Sequence, residues 1–144
     1  MRCTRVPAPQ PILGDILEVD HSRIIEALDI SPSNADQAIK KVHVIGNLPF
    51  NIATPLLIKW LYQIYRHEGV FECPDASLTL MFQKEVSRRI VAPPSSPERS
   101  RLSIMTQSLC RAREIYTVRS SSFVPRPKVD ASVVQLERLD EPIL

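Results

Sequence analysis

Val42-His43-Val44-Ile45-Gly46-Asn47-Leu48-Pro49-Phe50 is the stretch on which the fold turns. Its first four residues are apolar but for His43, and three of them are β-branched. That is the pattern of a buried parallel strand, which sheds the polar alternation of a half-exposed one. Asn47-Leu48-Pro49-Phe50 then turns out of the strand. Thr54-Pro55 is expected to open the helix that follows, since proline at a first helical position loses a hydrogen bond that would be missing anyway. Leu57, Trp60, Leu61 and Ile64 continue at helical spacing. Strand, turn and amphipathic helix in that order make a β-α unit.

The same alternation extends on both sides. Upstream, Ile12–Leu17 reads as a short strand ending in the polar turn Gly14-Asp15. Ser22 is placed to cap a helix over Arg23–Leu28, and Ile30–Lys41 reads as a polar connection. Downstream, His67–Asp75 is a loop, and Ser77–Phe82 is a strand running into a helix from Gln83-Lys84-Glu85-Val86. Pro93, Pro94 and Pro97 end that helix. Ser100–Cys110 reads as another helix with Leu102, Met105 and Leu109 on one side. Ile115–Val118 and Ser132–Leu136 are two close strands joined by the loop Ser120–Asp130. The fold class is therefore α/β with an antiparallel strand pair at its C-terminal end.

Bulk properties narrow the function without naming it. A length of 144 residues is enough for one domain with a real core. No run of about 18 apolar residues suggests a membrane span. Cys3, Cys73 and Cys110 are odd in number and widely spaced, without Cys-x-x-Cys or a Cys/His cluster. Neither a disulfide framework nor a metal site is supported. His21, His43 and His67 stand apart from one another, which favours structural or exposed roles over catalysis. The net charge of +2 permits nucleic-acid binding without arguing for it. Arg88, Arg89, Arg99, Arg101, Arg111, Arg113, Arg119, Arg126 and Lys128 all fall in the second half. Taken alone, such arginines most simply form a solvated face.

The tetrapeptide carries the chemistry. In open α/β sheets ligands bind beyond the carboxyl ends of the strands, where Asn47 lies. Its amide oxygen can accept a hydrogen bond from an amino group. Pro49 donates no backbone hydrogen bond and stiffens the turn, which favours an outward carbonyl at Leu48 as a second acceptor. Two acceptors and the aromatic face of Phe50 suit a flipped adenine held by its amine edge. The alternative is a plain strand-to-helix turn in which Asn47 caps the helix and Phe50 packs.

Four segments in order carry a resemblance. They are Val44–Phe50, Thr79-Leu80-Met81-Phe82-Gln83-Lys84-Glu85-Val86, Arg99-Ser100-Arg101-Leu102-Ser103-Ile104-Met105 and Phe123-Val124-Pro125-Arg126-Pro127-Lys128-Val129-Asp130. Together they resemble the ribosomal-RNA adenine dimethyltransferase family, which uses S-adenosylmethionine, and most of all its mitochondrial transcription-factor-B-type branch. The resemblance implies that Asn47 holds the target amine and borders the methyl donor, while Leu48, Pro49 and Phe50 orient and stack the base. It implies that Phe123 forms another wall of the base pocket. Gly14-Asp15-Ile16 resembles the turn that contacts the cofactor's adenine, with Asp15 accepting from its amino group. For Lys84 and Glu85 a structural role is favoured, paired with each other or with neighbours. Implied partners are small-subunit ribosomal RNA and, for that branch, mitochondrial transcription machinery or DNA. Mitochondrial placement is implied with them. A non-catalytic RNA- or DNA-binding transcription factor on the same fold is the alternative function.

The chain also departs from the family. Relatives begin with a strand, a glycine-rich loop and a second strand ending in an acidic residue, and nothing here matches them. Nor does anything match their C-terminal helical domain. The expected organisation is an irregular segment over 1–11, a partial Rossmann-like methyltransferase domain over 12–139 holding strands 3 to 7 of the family order 3-2-1-4-5-7-6, and a tail over 140–144. Strand 3 would then lack its neighbours and Val42–Ile45 would lose one flank. The expectation is a truncated chain of low stability that binds S-adenosylmethionine weakly or not at all.

Overall fold

The computed structural model describes residues 11–27 and 41–143. The irregular reading of Met1–Gln10, the end of the first helix at Leu28 and nearly all of the connection Ile30–Lys41 lie outside them. Four helices and four strands follow one another: α1 (Ser22–Ala27), β1 (Lys41–Gly46), α2 (Phe50–Arg66), β2 (Asp75–Gln83), α3 (Lys84–Val91), α4 (Arg101–Leu109), β3 (Cys110–Val118) and β4 (Ala131–Arg138). The sheet order is β1-β2-β4-β3. β1 and β2 are parallel, whereas β4 runs antiparallel to both β2 and β3. This is the 4-5-7-6 portion of the order the resemblance implied.

Sequence periodicity explains the layering. Leu78, Leu80 and Phe82 alternate along β2 and are fully buried, as are Val134 and Leu136 on β4. They meet Leu56, Leu57, Trp60, Leu61 and Ile64 on one stripe of α2, together with Ile90 of α3 and Leu109 of α4. Burying such side chains contributes about 1.5–3 kcal/mol each. Cys110 closes this core, and burial pushes its thiol up to about 12. It behaves as a small apolar residue.

Several expectations are corrected. Ile12–Leu17 is not a strand: it is irregular and ends in a turn in which the amides of Glu18 and Val19 bond to the Asp15 carbonyl. No described strand lies beside it to complete a ladder, so its backbone groups turn to local partners. Val42–Ile45 is a strand, but an edge strand. Val42 and Val44 are half-buried against the core, while Ile45 is 76% exposed. α2 begins at Phe50, not at Thr54-Pro55; Pro55 sits one turn inside and leaves the Asn51 carbonyl without its helical donor. The helix tolerates this because its stability comes from the buried stripe. α1 begins at Ser22, and the cap is Asp20, whose Oδ1 accepts from the Ser22 amide at 3.0 Å. That bond lowers the Asp20 carboxyl below its ordinary value. Ser100 is the cap of α4 and Cys110 already belongs to β3.

β3 starts five residues before the predicted Ile115. Cys110 and Ala112 point toward the core and Arg111 and Arg113 away from it. A bulge between Glu114 and Tyr116 then resets the alternation.

Candidate active site

The C-terminal ends of β1 and β2, the end of β3 and the start of β4 share one edge of the sheet. Gly46 pairs with Leu80, and β2 continues three residues further to Gln83, opposite Ala131. Asn47–Phe50 therefore turns off β1 beside a longer neighbour. Gly46 is needed for that turn: a Cβ there would meet Leu80 Cδ2 at 3.0 Å and Leu48 Cγ at 3.3 Å. The Leu48 side chain packs against the core.

Asn47 does not cap α2. The cap position belongs to Pro49, whose carbonyl accepts from the amides of Ile52 and Ala53, both at 3.1 Å. Asn47 is exposed, and among the described residues neither its side chain nor the Leu48 carbonyl has a hydrogen-bond partner. Two unspent acceptors thus stand together at the end of a parallel strand. Phe50 is half-buried as the first residue of α2.

Phe123 belongs to the β3–β4 loop at the same edge of the sheet. The loop is tied down by Asp130, a residue to which the sequence reading gave no role of its own. Asp130 Oδ1 accepts from the Ser120 amide at 2.8 Å and its carbonyl from the Lys84 amide at 3.0 Å. One residue thereby joins the loop, the start of β4 and the first turn of α3. The Phe123 ring is half-buried, and its amide bonds to the Ser120 carbonyl. Topology brings Phe123 to the edge that carries Asn47, but none of the described pockets is lined by both.

Lys84 and Glu85 do not pair with each other. Lys84 Nζ donates to Thr117 Oγ1 at 3.2 Å, and Thr117 donates to Glu114 Oε1 at 2.9 Å. Ser87 Oγ donates to Glu114 Oε2 at 2.8 Å. Partial burial works to raise the Glu114 carboxyl, but these hydroxyls, Ser132 and the nearby Lys84 charge outweigh it and hold the group below its ordinary value. Glu85 pairs instead with Arg89, one turn on.

Asp15 and Ile16 lie elsewhere. Asp15 is exposed; its Oδ1 accepts from the Leu17 amide at 2.8 Å, so the carboxylate still has acceptor capacity. Lys59 Nζ donates to the Leu17 and Val19 carbonyls at 2.8 and 3.1 Å. His21, 1% exposed, donates from Nε2 to the Ile16 carbonyl and accepts at Nδ1 from Trp60 Nε1, both at 3.0 Å. Gln63 Oε1 lies 3.0 Å from the same Nδ1. The turn is thus docked on the middle of α2. Lys59 lies nine residues past Phe50, roughly 13 Å along the helix axis. None of the described pockets is lined by Asp15, Ile16 or Asn47.

Among the described residues no group of His, Cys, Asp and Glu is placed to hold a metal, and no helix is long and apolar enough to cross a membrane.

Comparison with known proteins fits this geometry. The family model described as ribosomal RNA adenine dimethylase matches residues 10–143. Dimethyladenosine transferase 1, mitochondrial, of Xenopus tropicalis is 43% identical over 133 residues, covering 92% of this chain and 38% of that protein. Its human counterpart is 50% identical over 101 residues, covering 70% and 29%. The chain thus spans well under half the length of these curated relatives. Among solved structures, a dimethyladenosine transferase from Plasmodium falciparum superposes with a TM-score of 0.57 at 32% identity, over 72% of this chain and 37% of that one. The 23S rRNA methyltransferase ErmE shares the fold, with a TM-score of 0.54 at 24% identity over 85% of this chain and 51% of that one.

Proposed function

We propose that this chain, which belongs to the ribosomal RNA adenine dimethylase family, forms the base-holding part of an enzyme that methylates the exocyclic amine of adenines in small-subunit ribosomal RNA. The observation that carries the reading is the pair of unpartnered acceptors, the Asn47 amide oxygen and the Leu48 carbonyl, at the end of β1.

The amine of adenine is a poor nucleophile because its lone pair is delocalised into the ring. Asn47 and Leu48 accept its two hydrogens and draw the lone pair out of conjugation. Pro49 stiffens the turn directly after them. Phe50 stacks on the base from α2 and Phe123 closes the other side from the β3–β4 loop, holding an adenine turned out of its stack. The gain comes from positioning and fixed dipoles, with no covalent step on the protein. S-adenosylmethionine would supply an electrophilic methyl group when bound, and Asn47 would border it. Asp15 and Ile16 retain the chemistry of an adenine contact but share no described pocket with Asn47, so no step is assigned to them.

Asn47 also favours this reading over a purely binding role such as a transcription factor, since a binder of DNA or RNA backbone needs no pair of amine acceptors. The names of the relatives favour action in mitochondria. Asn47→Ala in a full-length protein carrying these residues reduces methyl transfer by about 10²–10³-fold, the scale of a lost transition-state hydrogen bond. Unchanged transfer, read as dimethyladenine by mass spectrometry, contradicts the reading.

A further inference from the structure

We propose that the recess between α3 and the loop before β4 clamps a phosphodiester group of the RNA strand next to the target adenine, held by Arg88 and Lys128. The inference rests on the proposed function for the nature of the ligand and on the recess itself for its place.

The recess measures about 440 Å³ and is lined by Gln83, Lys84, Glu85, Arg88, Lys128 and Asp130, three cations against two carboxylates. It opens at the end of β2, the strand beside the Asn47 turn. Two residues further along a strand and one strand across place it on the order of 10 Å from that turn. That is the reach of a nucleotide or two.

Charge bookkeeping identifies what the recess lacks. Of the carboxylates near it, Glu85 is paired with Arg89, while Asp130 and Glu114 accept from the Ser120 amide and from Ser87 and Thr117 and keep their charge. Lys84 is held by Thr117 and screened by Glu114 beyond it. Arg126 is drawn to Ser120 Oγ. Arg88 and Lys128 have no partner among the described residues, and both border the same space. Arg88 also lines a second recess of about 380 Å³, where Glu85 and Glu98 stand among the arginines, so the phosphate site is confined to the first. Two unpaired cations of different type lining one recess suit one phosphate, with the guanidinium fork gripping two oxygens and the ammonium acting as a point charge.

The test is salt-dependent binding of a small-subunit ribosomal RNA hairpin, followed by fluorescence anisotropy on the protein and its Arg88→Ala, Lys128→Ala and Arg88→Lys variants. Removing both side chains together, as Arg88→Ala with Lys128→Ala, is expected to reduce the slope of log K against log salt by about 0.7, the release of one single-strand counterion, and each single alanine variant by part of that. Arg88→Lys retains the slope, and thermal melting is unchanged in every variant because both side chains are exposed and unbonded. An unchanged slope with both side chains removed, or no RNA binding by the protein, overturns the clamp. Methyl transfer separates this proposal from the one it rests on. If Asn47→Ala abolishes transfer while the recess variants bind as the parent does, the clamp falls and the base-holding reading stands. If the recess variants lose their counterion while Asn47→Ala still methylates, the clamp stands and that reading falls.

Discussion

Asn47 owes its availability to Pro49. A strand-to-helix turn normally spends an asparagine on the first helical amides, but here the proline carbonyl accepts from Ile52 and Ala53 and leaves the asparagine unspent. The sequence alone left both uses open, since cap or acceptor depends on where the helix begins. An early start at Phe50 decides between them. The same reasoning predicts that Asn47→Ala leaves stability within about 0.5 kcal/mol while removing activity, which urea unfolding beside a methylation assay would check. Glu114 makes the opposite kind of prediction. Its folded carboxyl lies below the ordinary value, so its contribution to stability is present above about pH 4.3 and is lost as pH falls through the lower folded value. Glu114→Gln should flatten the acid limb of the unfolding midpoint below about pH 4; an identical limb would show that the three hydroxyls do not stabilise the charge. Nothing in the spacing of Lys84, Ser87, Glu114 and Thr117 foretold this network, because its members come from two elements brought together only by folding.

At the scale of elements, legibility followed burial. β2, β4 and α2 were readable because each carries an apolar repeat of the right period, Leu78-Leu80-Phe82 and Val134-Leu136 at two, and Leu57-Trp60-Leu61-Ile64 at the helical spacing. The first half of β3 was not, because Cys110 and Ala112 are small and the bulge at Ile115 breaks the alternation. Ile12–Leu17 misled for a different reason. Its apolar residues suit a strand, yet strand structure needs a neighbour, and the segment instead hangs on α2 through Lys59, Trp60 and His21. His21→Ala should leave the Trp60 indole N–H without its buried acceptor and cost about 2–3 kcal/mol. Hydrogen exchange should then quicken across residues 15–24 first. Uniform loss of protection across the sheet would mean that this docking is not a separate unit.

At the scale of the whole molecule, the sheet has one edge strand that expects company. Among the described residues β1 has no strand on its outer side, beside Ile45, 76% exposed, the kind of edge that recruits another chain. The 144-residue chain should self-associate with rising concentration in sedimentation velocity, and Ile45→Lys should suppress it. A monomer at all concentrations would show that the edge is already protected. The family motifs were legible because they are local in sequence, and the strand order came with the resemblance they carry. The placement of Asp15 against α2 was not, because it depends on which long-range neighbours the turn finds.

The measurement that tests the central claim most directly is a transplant. Residues 41–138 of this chain replace the matching segment of an active dimethyladenosine transferase, and methyl transfer to small-subunit ribosomal RNA is followed by mass spectrometry with and without Asn47→Ala. The account predicts dimethyladenine from the parent chimaera and a loss of about 10²–10³-fold from the variant. A folded chimaera that binds S-adenosylmethionine and the RNA yet transfers no methyl group, or one indifferent to Asn47, would contradict it.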